Sequence, residues 1–199
     1  MRKDITVKKL MKAMLGKGFA VFENDSKSHN LNIVGVRATN GKTNVFDDVI
    51  CVFWKHEGFW SLLQFPMTAD AGVHWLENPM NNSGCAILKE GQYRGAYKLR
   101  KHQGKYMALC QAKDVTVYRD NNKDLEHDMD PDKTETGMFG INIHRANAKS
   151  ESIQVNKWSA GCQVMMNPHD FNTFIRVCSE AAEVWDNSFT YTLLKEDWI

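Results

Sequence analysis

Residues 49–65 read Val49-Ile-Cys-Val-Phe-Trp54, Lys55-His-Glu-Gly58, Phe59-Trp-Ser-Leu-Leu-Gln-Phe65. Two runs rich in β-branched and aromatic residues flank a short polar segment that ends in glycine. That pattern predicts a β-hairpin, Val49–Trp54 against Phe59–Phe65, turning around Lys55–Gly58. The same grammar extends outward. FAVF (19–22), LNIVGVRA (31–38), CAIL (85–88), YRGAYKL (93–99), YMALCQA (106–112) and VTVY (115–118) are further short strand-like runs. Turn chemistry separates them at Asn78-Pro79, Asn82-Ser83-Gly84 and Lys89-Glu90-Gly91. Two helices bracket this β-rich middle. Residues 4–16 place Ile5, Leu10, Met11, Met14 and Leu15 near one face, and Gly16 and Gly18 end the pattern. Asn167-Pro168 is a cap followed by proline at the first helical position. The run behind it carries Phe171, Phe174, Ile175, Cys178, Ala182 and Trp185 at helical spacing, to about Asp186-Asn187. Phe189–Leu194 closes the chain as a strand. The expectation is one mainly β domain over 1–199, sandwich- or barrel-like, with a short N-terminal helix and one C-terminal helix.

Composition narrows the function. With 25 basic and 24 acidic residues in 199, the formal charge is +1. This gives no sign of a nucleic-acid or anionic-membrane footprint. No apolar run reaches spanning length, so no membrane insertion is expected. The opening segment, MRKDITVKKLMKAMLGKG, is basic with spaced apolar residues and does not read as a secretory signal. Synthesis in the cytoplasm is expected, with another agent carrying the protein to any substrate outside. Cysteines stand at 51, 85, 110, 162 and 178, without a CxxC pair, and read as free thiols. No cofactor or metal site is called. The acidic stretch Arg119–Glu135 alternates oxygen-bearing residues, but neither register beginning at Asp120 or Asp124 supplies the glycine of a calcium loop. It reads as an exposed loop that could act as a lid. Oligomeric state is not legible.

The chemistry concentrates in GINIHRANAKSESIQVNKWSAGCQVM, residues 140–165. Gly137–His144 reads as a strand whose end holds His144. Eighteen positions on, Cys162 closes the turn Ser159-Ala160-Gly161-Cys162. A thiol needs a base to become a nucleophile near neutral pH, and a small-residue turn leaves backbone N–H groups for an oxyanion. His144 is the candidate base, Cys162 the nucleophile, and Gly161 the residue that lets a substrate approach. The N–H groups of Gly161 and Cys162, with Ala160, are candidate oxyanion donors. Arg145, with Asn147, Lys149 and Lys157, would form a basic rim. Trp158 suits a groove wall or, better, packing beneath the turn. Ser83-Gly84-Cys85, with His74 upstream, is a similar turn, but Cys85 heads an apolar run and reads as core. Cys51, Cys110 and Cys178 read likewise.

The segment resembles the catalytic signature of the L,D-transpeptidase catalytic domain family: a histidine, a gap of about fifteen residues, then Ser/Thr-His-Gly-Cys. The upstream order is also similar, with a hairpin running into Phe65–Gly72 and a glycine-bearing strand, Thr136–His144. The likeness covers roughly residues 45–165, leaving 166–199 as a C-terminal helix and strand, and its pattern resembles an uncharacterised bacteriophage branch. It departs at Ala160, where the family has histidine, and at Gln163, where arginine or histidine is frequent. The resemblance implies an L,D-transpeptidase-like β fold, acylation of Cys162 with His144 as base, and a peptidoglycan stem peptide as substrate. Ser159, Ala160, Gln163 and Asn142 would then contact substrate. It also implies a phage-encoded enzyme, virion-associated or released to the cell wall, working as transpeptidase or peptidase. Two alternatives stand beside it: a non-catalytic wall-binding or structural particle module on the same fold, and an intracellular cysteine amidase or peptidase.

Overall fold

A computed structural model describes residues 4–40 and 42–199. The elements in chain order are α1 (Val7–Gly16), β1 (Asn32–Arg37), β2 (Asp48–His56), β3 (Phe59–Thr68), α2 (Val73–Glu77), β4 (Cys85–Leu88), β5 (Gly91–His102), β6 (Tyr106–Gln111), β7 (Val115–Asp120), β8 (Thr134–Gly137), β9 (Ile143–Arg145), β10 (Gln163–Met165), α3 (Pro168–Trp185) and β11 (Phe189–Lys195). Eight strands close a barrel in the order β1-β11-β5-β6-β9-β10-β3-β2, and β4-β7-β8 form a separate small sheet.

The hairpin is the barrel's longest ladder. It pairs from Asp48↔Met67 to His56↔Phe59. Glu57 (φ 49°) and Gly58 (φ 83°) make its two-residue turn. Positive φ at both positions matches the twist of the flanking strands. The barrel closes through β1 and β11, which pair in parallel from Ile33↔Tyr191 to Arg37↔Lys195. The closed sheet therefore reaches beyond residues 45–165. All six β1 residues are buried, because the strand is covered on both faces. Ile33 joins the central core with Ile50, Tyr97, Leu109, Tyr191 and the α3 residues Phe171 and Phe174. Val34 and Val36 meet Leu10, Ala13 and Met14 of α1 on the outside. Each fully buried side chain of this kind contributes roughly 1.5–3 kcal/mol. Among the described residues, no helix is long and apolar enough to cross a membrane.

Two strand expectations differ from the structure. Residues 19–22 form no strand. Their backbone groups bond side-chain amides instead: Asn32 holds the N–H and C=O of Phe22, and Gln92 those of Ala20. The run 137–144 is not continuous either. It splits into β8 and β9 around Gly140 (φ 74°). In the gap, Gln111 Oε1 accepts the N–H groups of Phe139 and Ile141 at 3.1 and 2.9 Å. A side-chain amide thus replaces a strand partner.

Candidate active site

β9 and β10 run parallel, with Gln163↔Ile143 and Val164↔His144 in register. Cys162 continues β10 toward its start and packs with Val164 in an outer cluster that includes Phe46, Ala146 and Val155. It thus lies on the same side of the strand pair as His144, one strand repeat (roughly 7 Å) further along. The Cys162 sulfur accepts the Asn142 N–H at 3.5 Å and donates to the Gly140 carbonyl at 3.4 Å. Among the described residues these are its only hydrogen-bond partners. No direct thiol–imidazole hydrogen bond forms between the candidate nucleophile and base; the sulfur is held by backbone groups at the break around Gly140 instead. Burial pushes the Cys162 thiol up to about 11, against the pull of the Asn142 N–H.

His144 is 6 % exposed. Its Nδ1 lies 2.8 Å from the Arg145 carbonyl. A carbonyl can only accept, so Nδ1 carries the proton and Nε2 is the basic nitrogen. The ring stacks on His102, with centroids 4.5 Å apart and planes 16° from parallel. Burial drives the His144 pKa down to about 4. The Arg145 carbonyl opposes this, and the charges of His102 and Arg145 add to it. Both partners of the pair are therefore neutral near physiological pH.

Cys162 opens onto a cleft of about 330 Å³, walled by Trp75, Met80, Cys85, Arg119, Phe139 and Ala160 among others. The Arg119 guanidinium bonds Glu135 (Nε to Oε2, 2.7 Å) and the Gly84 carbonyl (3.2 Å), and lies over the Phe139 ring. The wall thus mixes aromatic and apolar side chains with polar groups such as Asn81, and among the described lining residues its one cation is already paired.

The proposed contact residues divide. Ala160 lines the cleft. Ser159 is fully buried; its Oγ donates to the Cys162 carbonyl and accepts the Gly161 N–H. It builds the turn and cannot contact substrate, and it removes Gly161 from the oxyanion donors. The Ala160 and Cys162 N–H groups have no partner among the described residues. Gln163 is also fully buried. It donates to the Ala69 carbonyl and accepts the Tyr191 hydroxyl at 2.8 Å. Tyr191 reaches it because Gly35 has no side chain: a Cβ there would sit 1.9 Å from the Tyr191 oxygen. Asn142 positions rather than binds. Its Oδ1 accepts the Gln111 N–H, and its amide nitrogen lies 3.3 Å from His102 Nδ1. Arg145 stacks 3.8 Å over the Tyr106 ring, away from the cleft. Trp158 is 41 % exposed and does not pack beneath the turn. The tryptophan at the cleft is Trp75, whose indole N–H bonds the Lys157 carbonyl.

Cys85 is buried as expected, but it stands in the same cleft wall, 3.7 Å from the Ala160 carbonyl. Burial, with the Asp120 charge second, pushes its thiol up to about 12. Cys51 and Cys178 are buried, whereas Cys110 is half-exposed; all five thiols are free. Gly161 has φ +119°, and a Cβ there would fall 1.9 Å from the Ala86 carbonyl oxygen. Gly161→Ala should therefore cost about 3 kcal/mol through strain and clash. A urea melt superimposing on the wild type would contradict this close approach.

The chain matches no protein-family model, no curated protein and no solved structure.

Proposed function

We propose that the chain is a cysteine acyl-transfer enzyme acting at Cys162 on peptide substrates of the peptidoglycan-stem kind. One convergence carries this reading. The Cys162 thiol opens onto a cleft, two unpartnered N–H groups belong to its turn, and an imidazole with a fixed tautomer stands on the adjacent parallel strand.

The chemistry starts from the neutral pair. Substrate entering the cleft displaces the thiol from the Gly140 carbonyl, and rotation about the Cα–Cβ bond carries it toward His144 Nε2. Nε2 takes the thiol proton as sulfur bonds to the substrate carbonyl carbon. The carbonyl oxygen becomes an oxyanion facing the Ala160 and Cys162 N–H groups. The imidazolium then returns the proton to the leaving amine, and the C–N bond breaks to give a thioester. Water attack makes the enzyme a peptidase, and amine attack a transpeptidase. Trp75 and Phe139 supply apolar walls for the acyl donor.

A carbapenem is the direct test, since opening its lactam ring on a thiolate adds the whole molecule to the protein mass. One adduct is expected in the wild type and in Cys85→Ala, and none in Cys162→Ala. Equal labelling of Cys162→Ala would overturn the assignment. The missing thiol–imidazole hydrogen bond favours a second reading, a wall-binding module with no turnover. Binding to purified peptidoglycan without adduct or released peptide would select it.

A further inference from the structure

The near-neutral total charge conceals a local asymmetry on α1. Its buried stripe is Leu10, Ala13 and Met14. A second stripe, at spacing i, i+3, i+4 and i+7, consists of Lys8, Met11, Lys12 and Leu15. All four line one groove of about 760 Å³, whose far wall is Trp60 of the β2–β3 hairpin. Leu15 is 58 % exposed, and Met11 beside it is half-buried. Lys9 and Lys17 are exposed on the same helix or at its end. No acid lies within α1; Asp4 precedes it and Glu57 sits in the hairpin turn. The face therefore alternates cations with large apolar groups.

We infer that this face docks the protein peripherally on an anionic lipid bilayer. Lys8 and Lys12 would meet the headgroup phosphates, and Leu15 and Met11 would enter the headgroup–acyl boundary. The charge pattern selects this occupant. A second copy of the chain, docked through a twofold axis, would set lysines against lysines. A neutral apolar partner would leave the two cations of the groove, Lys8 and Lys12, unanswered. A bilayer with anionic headgroups answers both halves of the surface and needs no spanning segment.

The test is co-sedimentation of the full chain with vesicles of phosphatidylcholine alone and with about 30 % phosphatidylglycerol, at low salt and at about 0.15 M. Binding is expected only to the anionic vesicles, weakening as salt rises. The double variant Lys8→Glu/Lys12→Glu should lower the partition coefficient by about 10-fold or more. Leu15→Ser should lower it several-fold with the melting temperature unchanged, since that side chain is exposed. Four results would overturn the inference: no binding to anionic vesicles, equal binding to both compositions, stronger binding to a single-stranded oligonucleotide, or a dimer in sedimentation velocity that Leu15→Ser disperses.

Discussion

Replacing Arg37 by leucine should lower the unfolding free energy by about 4 kcal/mol and the melting temperature by roughly 8–16 °C. The Arg37 side chain is 3 % exposed at the end of β1. Nε meets Asp70 Oδ1 at 2.9 Å, Nη1 meets Glu90 Oε1 at 2.7 Å, and Nη2 donates to the carbonyls of Leu88 and Ala69. Asp48, 2 % exposed, accepts the N–H groups of Ala38 and Ala69 beside them. Leucine would fill much of the space and leave the Asp70 and Glu90 carboxylates with no buried cation, beside Asp48, whose carboxyl burial and then the Asp70 charge push up to about 8. Burial would by itself raise the Glu90 carboxyl. The Arg37 charge, helped by a backbone N–H, the Tyr118 hydroxyl and Lys195, outweighs burial and holds it below its usual value.

The sign with pH follows from that. A lowered folded-state pKa contributes stability that is present above the unfolded value and is lost as pH falls through the folded one. In Arg37→Leu the main cause of the lowering is gone, so the folded state takes up protons more readily than the unfolded chain. The variant should gain stability relative to the wild type as pH falls from about 7 toward 5, the range above the unfolded carboxylate values. Urea melts of both proteins across that range measure the gap. A gap that stays constant, or is absent at neutral pH, would contradict a stabilising charge network. The Ala69 carbonyl is also the acceptor for Gln163, so the network braces the strand that begins just after Cys162.

Arg37 also marks what sequence could convey. It closes the apolar run LNIVGVRA, and Asp48, Asp70 and Glu90 each border an apolar run. Charges at such edges are a searchable signal, but their convergence depends on the closed barrel order, in which one strand, β2, lies between β1 and β3 and one strand, β11, lies between β1 and β5. The hairpin was legible because alternation and the Glu57-Gly58 turn are local. So was α3, through Asn167 accepting the His169 and Asp170 N–H groups ahead of Pro168. The parallel β1–β11 pairing joins residues more than 150 positions apart and leaves no local trace. Within the candidate site, residue type and order single out Cys162 and His144 in the sequence, whereas the parallel pairing of their strands appears only in the fold. The burial of Ser159 and Gln163 is not legible, because a polar side chain looks the same in sequence whether it faces solvent or an internal partner. Trp75, Arg119 and His102 come from segments that only the fold brings near Cys162 or His144, and no spacing rule reaches them.

The pH dependence of the Cys162 thiol separates a resting neutral pair from a preformed ion pair. With the thiol near 11 and the imidazole near 4, sulfur is protonated and His144 neutral over the whole range between. Alkylation of Cys162 by iodoacetamide in the free protein should therefore rise about tenfold per pH unit through neutrality and flatten only as pH approaches the thiol value. Mass mapping distinguishes this thiol from Cys110, the other half-exposed one. Acyl transfer should behave differently, because substrate draws sulfur toward Nε2 and proton transfer accompanies attack. Its rate should be nearly flat in the mid-range and fall on the acid side only as His144 charges, near its lowered value of about 4. His144→Ala should reduce acyl transfer about 10²–10⁴-fold, while leaving the alkylation profile nearly unchanged because no hydrogen bond joins ring and sulfur in the resting protein. An alkylation plateau near neutrality that His144→Ala abolishes would show an imidazolium–thiolate pair already in place, and would overturn the neutral-pair mechanism.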